Sequence, residues 1–404
     1  MSAETLSMPE AGGLLQECGG RIKILALTGI RSEYDLLFPL LQRLAADAAF
    51  ELGVVVCGAH LTDLHNHSVR QIEADGIPIV ERLESLLHSS SRLGKVKSSG
   101  ILLTALAQTL ERERPDLLLL LGDREEVVVG SLAGLYMGIA VVHLAGGDSL
   151  HGGCPDEWVR HAASKMSHLH LTMTEAHSQR LLRLGEEPWR VHTVGSGGVD
   201  RLRLEPVLPL SALAERLGSA VSGDYGVFVF HSLMDAHCQQ GGEQVALALE
   251  GALATGLHLF VGAPNSDPGY QEVARVIEAY ARRPEVTLYR HLPRAAFVAL
   301  LRHARCLVGN SSLAFHEAPF LGLPAVNIGD RQQGRLAAHT IQSVPFEGEA
   351  IRQAVHRAAF DADYRSTVRP GETLYGDGYM AERTVALLKT LPDRQTLLTK
   401  RMTY

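Results

Sequence analysis

The sequence predicts an α/β protein built from two Rossmann-like domains, and three observations carry that reading. Short, wholly apolar runs alternate with longer amphipathic segments, the pattern restarts after residue 204, and polar residues follow the apolar runs in both halves. Apolar runs without in–out alternation belong to strands covered on both faces, as in parallel sheets.

Met1–Gly20 reads as a loose extension, with Glu4, Glu10 and Glu17 among short apolar pieces. "KILALTG" (Lys23–Gly29) is the first strand, and "YDLLFPLLQRLAAD" has helical spacing. Strands follow at Phe50–Gly58, Asp116–Arg124 and Ile139–Leu144, with helices at Gly100–Pro115, stopped by Pro115, and over "EEVVVGSLAGLYMG". "EPVLPLS" (Glu205–Ser211) reads as a linker. Beyond it lie strands at Gly226–Ser232, Gly256–Pro264, Glu285–Leu292, Ala304–Ser312 and Pro324–Gly329. A helix over Gly378–Leu391 has no strand after it. The expected organisation is an extension (1–20), an N-terminal domain (21–204), a C-terminal domain (212–377), and a helix and tail (378–404) that pack back on the N-terminal domain.

The bulk properties exclude several classes. With 404 residues and a net charge of −7, the chain is long enough for two cores and lacks the basic balance of a duplex nucleic-acid binder. The five cysteines (Cys18, Cys57, Cys154, Cys238, Cys306) form no CxxC pair, which points to the cytoplasm rather than a disulfide framework. No apolar run is long enough for a membrane span, and the start lacks the pattern of a signal peptide. Neither GxxxxGK[ST] nor a GxGxxG opening the first strand–helix turn is present, which weakens a triphosphatase or dehydrogenase reading.

Open α/β sheets bind ligands beyond the carboxyl ends of their strands. In the first half those ends carry Arg31, Asp123 and "HLAGGDSLHGGCPDEWVRH", with Asp148, Asp156, Arg160 and His161; in the second they carry His231, Asn265, His291, Ser311, Ser312, Arg331 and Arg335. Two polar rims predict one substrate held in an interdomain cleft. Ser311 and Ser312 precede a predicted helix, where backbone N–H groups favour an anion. A serine cap without a ligand explains "LVGNSS" alone; Arg331 and Arg335 in "GDRQQGR" add the fixed charge of a phosphate site. Arg31 is a second diphosphate candidate. Asp123 is either an acid/base group or a helix cap. His60, His65 and His67, and His168 with His170, have no HExxH spacing and no cysteine partner, so no metal is expected.

Together, "TGIRSEYDLL", "GDREE", "HLAGGD", "DEWVRHAASKMSHLH", "GNSS" and "HEAPFLGLPAVNIGDRQQGR" resemble the UDP-N-acetylglucosamine 2-epimerase family, most closely its hydrolysing branch of the sialic and legionaminic acid type, from about Lys23 to Leu391. The resemblance implies a glycosyltransferase-B-like fold, no cofactor, a UDP-sugar substrate and a homodimer or homotetramer. It also implies elimination of UDP to a glycal-like intermediate, then addition of water to release the C2-inverted sugar for nonulosonic acid biosynthesis. Carried over by position, Arg31 helps hold the diphosphate; Asp123 and Asp156 are carboxylates of the sugar site; Arg160 and His161 are its "RH" pair. His231 matches the histidine after the first strand of the second half, Ser311 and Ser312 the phosphate-binding serines, Glu317 the ribose glutamate, and His291 a position on the uracil side. The chain departs from the family at Ala145, where many hydrolysing members carry glutamate, and at Asp148, Ser232 and Ala314, where glutamate, proline and glycine are usual. The alternatives are a relative acting on another nucleotide sugar and a nucleotide-sugar-binding protein without catalysis; retained Asp123, Asp156 and His231 argue against the latter.

Overall fold

The computed structural model describes residues 12–63, 67–87, 89, 91–150, 155–217, 221, 224–233, 240–264, 269–290 and 292–404. The chain divides into two compact units, one of residues 1–148, 156–201 and 378–404, the other of residues 149–155 and 202–377.

The first unit holds seven parallel strands: β1 (Ile22–Thr28), β2 (Phe50–Cys57), β3 (Ile79–Leu83), β4 (Leu117–Leu121), β5 (Ala140–Leu144), β6 (Leu169–Thr172) and β7 (Val191–Thr193). Their order is β3-β2-β1-β4-β5-β6-β7. All five leucines of β4 are buried, because helices cover both faces of the sheet. Strand order reverses between β1 and β4, so the loops after these strands diverge and leave a crevice at their carboxyl ends.

The second unit repeats the plan with β8 (Tyr225–Val229), β9 (His258–Gly262), β10 (Val286–Tyr289), β11 (Cys306–Gly309), β12 (Ala325–Ile328) and β13 (Ile341–Val344), in the order β10-β9-β8-β11-β12-β13. Here the reversal falls between β8 and β11, the strands that lead to His231 and Asn310.

The described part of the expected N-terminal extension is packed rather than loose. Leu14, in the helix Gly13–Glu17, is 1% exposed, and its N–H donates to Leu391 O at 3.3 Å. The end of the chain forms two helices, Met380–Leu388 and Arg394–Leu398, instead of one helix over 378–391. The Asp200 carboxylate caps the first of them, accepting from Met380 N and Ala381 N at 2.8 Å each. Fully buried Arg190 donates to Leu397 O at 2.8 Å and to Thr396 O and Thr399 O at 3.0 Å. Lys400 Nζ donates to the carbonyls of Ser164, Lys165 and Ser167 at 3.2, 3.0 and 2.8 Å, closing the carboxyl end of the helix Pro155–Met166. Within the predicted linker, Leu210 opens the helix Leu210–Leu217.

Candidate active site

In the first unit the crevice is built around one buried cation. Arg160, 1% exposed, lies in the helix Pro155–Met166 and donates to the Asp123 carboxylate just beyond β4. The same guanidinium lies 3.1 Å from Glu157 Oε2 and 3.3 Å from the Asp148 carbonyl. Burial works against its charge, but Asp123, Asp148 and Glu157 outweigh burial and raise its pKa. Glu157 Oε1 also meets His161 Nε2 at 3.0 Å, so one carboxylate joins the two members of the "RH" pair. Sequence reasoning passed over Glu157; its signal is the i,i+3 and i,i+4 spacing to Arg160 and His161. Asp156, in the first turn of the same helix, stands four residues before Arg160 and so shares its side of the helix.

Behind Asp123, His143 on β5 is fully buried, and desolvation pulls its pKa from 6.5 down to about 4. The neutral ring donates from Nε2 to Gly122 O at 2.8 Å, fixing the peptide before Asp123. Its Nδ1 faces Ser164 Oγ at 3.1 Å, and Ser164 Oγ lies 3.0 Å from Arg160 O. The ring thereby links β4's exit to the helix that supplies Arg160.

Asp148 is held differently from the other candidates. Its carboxylate lies 3.3 Å from His177 Nε2, and both residues are buried. Next to it, Gly147 has φ 77°, and a Cβ there would sit 2.4 Å from His177 O, so only glycine fits. Ala145 adopts φ 63° without being glycine, a left-handed conformation that costs about 1–3 kcal/mol. Such strain gathers at functional sites, and here it sits in the turn between β5 and Asp148. Arg31 opens the helix Arg31–Ala46 beyond β1, with Nε 3.8 Å from Asp35 Oδ2.

In the second unit, Asn310 follows β11 and is fully buried. Its Oδ1 accepts from His231 N and its Nδ2 donates to His231 O, both at 2.8 Å. Asn310 O in turn accepts from Arg331 Nη1 at 3.3 Å and Gln332 Nε2 at 3.0 Å. One asparagine therefore ties His231 to the "GDRQQGR" loop. Arg335 reaches Gln332 Oε1 at 2.6 Å and His316 Nε2 at 2.8 Å.

Ser311 and Ser312 do follow a strand, but the expected helix is broken into two short turns, Leu313–His316 and Ala318–Leu321. Pro319, which lacks an N–H, enforces the break. A four-residue turn has little macrodipole, so any anion affinity here rests on local N–H and O–H groups. Ser311 Oγ is 3.4 Å from Leu313 N. Glu317, in the break, pairs with Arg294, and the side chains of both are 9% exposed. Arg294 is a partner that sequence reasoning missed. A cavity of about 620 Å³ opens in this unit beside Arg335, with Asn327, Gln332, Phe315 and Phe346 among its walls. Asn265 and His291 lie outside the described residues.

The tempting histidines are engaged as structural groups. His168 Nδ1 accepts from Val141 N at 3.0 Å, His170 Nε2 meets Glu186 at 2.8 Å, and His60 bridges Thr28 and Ser68. His65 falls outside the described residues, and among those described no group of three or more His, Cys, Asp or Glu side chains is placed to hold a metal.

The family model described as UDP-N-acetylglucosamine 2-epimerase matches residues 42–389. The chain belongs to the UDP-N-acetylglucosamine 2-epimerase family. Its relatives put it in the hydrolysing branch. A UDP-N,N'-diacetylbacillosamine 2-epimerase (hydrolyzing) of Legionella pneumophila is 32% identical over 95% of this chain and 99% of its own length. A GDP/UDP-N,N'-diacetylbacillosamine 2-epimerase (hydrolyzing) of Campylobacter jejuni is 30% identical over 79% of this chain and 83% of its own. The crystal structure of UDP-GlcNAc 2-epimerase from Neisseria meningitidis, bound to UDP-GlcNAc, has a TM-score of 0.78 at 20% identity, covering 91% of this chain and 99% of that one. The 2-epimerase of this family therefore has the glycosyltransferase-B-like fold expected from its motifs. Among the described residues, no helix is long and apolar enough to cross a membrane.

Proposed function

We propose that this 2-epimerase releases UDP from a UDP-linked 2,4-diacetamido sugar and gives the free, C2-inverted sugar, with UDP-N-acetylglucosamine as the simpler substrate of the same chemistry. The observation that carries this reading is the buried Arg160 guanidinium converging on Asp123, Glu157 and the Asp148 carbonyl at the ends of β4 and β5. The diacetamido substrate is favoured by the names of the Legionella and Campylobacter relatives.

In the first step a base takes the proton from sugar C2. The C–H electron pair becomes the C1=C2 bond, and the C1–O pair leaves with UDP. In the second, water adds to C1 and a proton returns to C2 on the opposite face. Asp156 and Asp123 are the proton-transfer pair in this reading, each contributing about 10²–10⁴-fold. Arg160 orients Asp123, Glu157 orients Arg160 and His161, and Asp148 serves through its backbone while its carboxylate holds His177. Arg31, Ser311, Ser312, Arg331 and Arg335 take the diphosphate, whose growing charge needs fixed cations and donors. Glu317, preset by Arg294, takes the ribose, with Asn265 and His291 on the nucleotide side and His231 at the reacting sugar. The reading includes a cytoplasmic homo-oligomer that feeds nonulosonic acid biosynthesis.

The test is incubation of each UDP-sugar in D₂O. UDP release with one deuterium at C2 of an inverted free sugar supports the reading. Release without deuterium identifies a simple hydrolase, and binding without release a non-catalytic receptor.

A further inference from the structure

Glu33 and Glu126 take no part in the roles above, yet both are almost fully buried at the end of β1, at 8% and 6% exposure. Glu33 Oε2 accepts from Gly29 N at 3.0 Å. The Glu126 carboxyl occupies the space that a side chain at Gly29 would need; Glu126 Oε1 is 2.4 Å from the place of a Cβ at Gly29 and 3.0 Å from one at Gly58. Two glycines therefore make room for this acid. Arg124 Nε lies 3.4 Å from Glu126 Oε2 and 3.9 Å from Glu33 Oε1. Those two carboxyl oxygens have no hydrogen-bond partner among the described residues.

The surrounding charges do not balance. Glu125 faces the same guanidinium, 3.7 Å from Arg124 Nη2, and meets Lys95 Nζ at 3.3 Å. Among the described residues, three carboxyls thus face two cations. The other titratable neighbours are the buried Cys57 thiol on β2, pushed well above its ordinary pKa by burial, His60, and the Arg31–Asp35 pair on the helix of Glu33. The Cys57 thiol supplies no positive charge, and the His60 ring is engaged by Thr28 and Ser68. One proton on the carboxyl pair, held around the same guanidinium, restores neutrality.

We propose that Glu33 and Glu126 share one proton, and that the protonated pair is a positioning device that sets the Gly29–Arg31 turn and the Asp123–Arg124 turn for the reaction. Burial, followed by the charge of Glu126, pushes Glu33 up to about 8, and burial with Glu125 raises Glu126. Loss of the shared proton leaves two buried carboxylates repelling each other across one arginine, and the two turns part.

The activity readout rests on the proposed reaction, so a second readout is independent of it. The wild-type enzyme should lose kcat above pH 8. Glu33→Gln and Glu126→Gln, each a permanently neutral mimic of the protonated acid, should lower kcat about three- to tenfold at pH 7 but move that alkaline limb up by about one pH unit or more. Infrared spectra of the wild-type protein carrying ¹³C-labelled glutamate should show a protonated carboxyl band at pH 7 that is lost by pH 9.5. If no such band is present at pH 7, or if the limb is unchanged in both glutamine variants, the proposal is wrong. If neither UDP-sugar is turned over, the proposed reaction fails, and the infrared band alone decides the shared proton.

Discussion

Asn310 holds the backbone of His231 from both sides, accepting from its N–H and donating to its carbonyl at 2.8 Å each. The adjacent ends of β8 and β11 are locked into one register at the point where the strand order reverses. Asn310→Ala leaves both His231 groups without that partner, with a stability loss of about 1–3 kcal/mol. Because His231 and the "GDRQQGR" loop both hang on this residue, kcat/KM should drop about 10²-fold. Thermal unfolding and steady-state kinetics on one preparation check both numbers.

Arg160 and Asp123 should separate chemistry from nucleotide binding. Asp123→Asn should lower kcat about 10²–10⁴-fold while UDP affinity, measured by calorimetry, stays within about twofold. Arg160→Lys should also fail, since one ammonium cannot meet Asp123, Glu157 and the Asp148 carbonyl in the geometry of a planar fork. Breaking so buried a pair costs about 3–5 kcal/mol, so Arg160→Met should show a lower unfolding midpoint as well.

Glu317 predicts the opposite split. Glu317→Gln weakens the pair with Arg294 and the contact proposed for ribose, raising the Kd for UDP about tenfold. At saturating substrate its kcat should remain within about threefold of the parent, because the carboxyl is assigned no proton transfer.

The buried histidines predict an acid-sensitive fold. Burial pulls His143 and His168 from 6.5 down to about 4, so both are neutral in the native state. Between pH 6.5 and 4 the unfolded chain binds more protons than the folded one, and stability falls as pH falls. Glutamine at either position can keep the relevant hydrogen bond without titrating. His143→Gln and His168→Gln should therefore show a shallower loss of unfolding midpoint across that window than the parent.

The central strands were legible because burial on both faces leaves a continuous apolar run, as in the five leucines of β4. Four strands escaped the sequence reading: β3 "IVERL", β6 "LHLT", β7 "VHT" and β13 "IQSV". Three are sheet edges, where one neighbour and partial exposure permit short, mixed sequences. β6 is interior, but its histidine is satisfied by Glu186, a partner 16 residues away. In the site, the resemblance supplied Asp123 and Arg160, whereas His143 and Ser164 emerge only when β5 and the helix Pro155–Met166 come together. The break at Glu317 was written in Pro319, but apolar periodicity on both sides masked it.

Threading the chain end back into the first unit also fixes an order of assembly. A ribosome delivers residues 202–377 before Asp200, Arg190 and the carbonyls of the helix Pro155–Met166 meet their partners in residues 378–404. The first unit is thus completed only after the intervening residues 202–377 have been made, and the helix bearing Arg160 receives its cap from Lys400 after that unit's other segments. A fragment ending at Arg201 should accordingly be short-lived to protease, and a peptide of residues 378–404 supplied in trans should protect it.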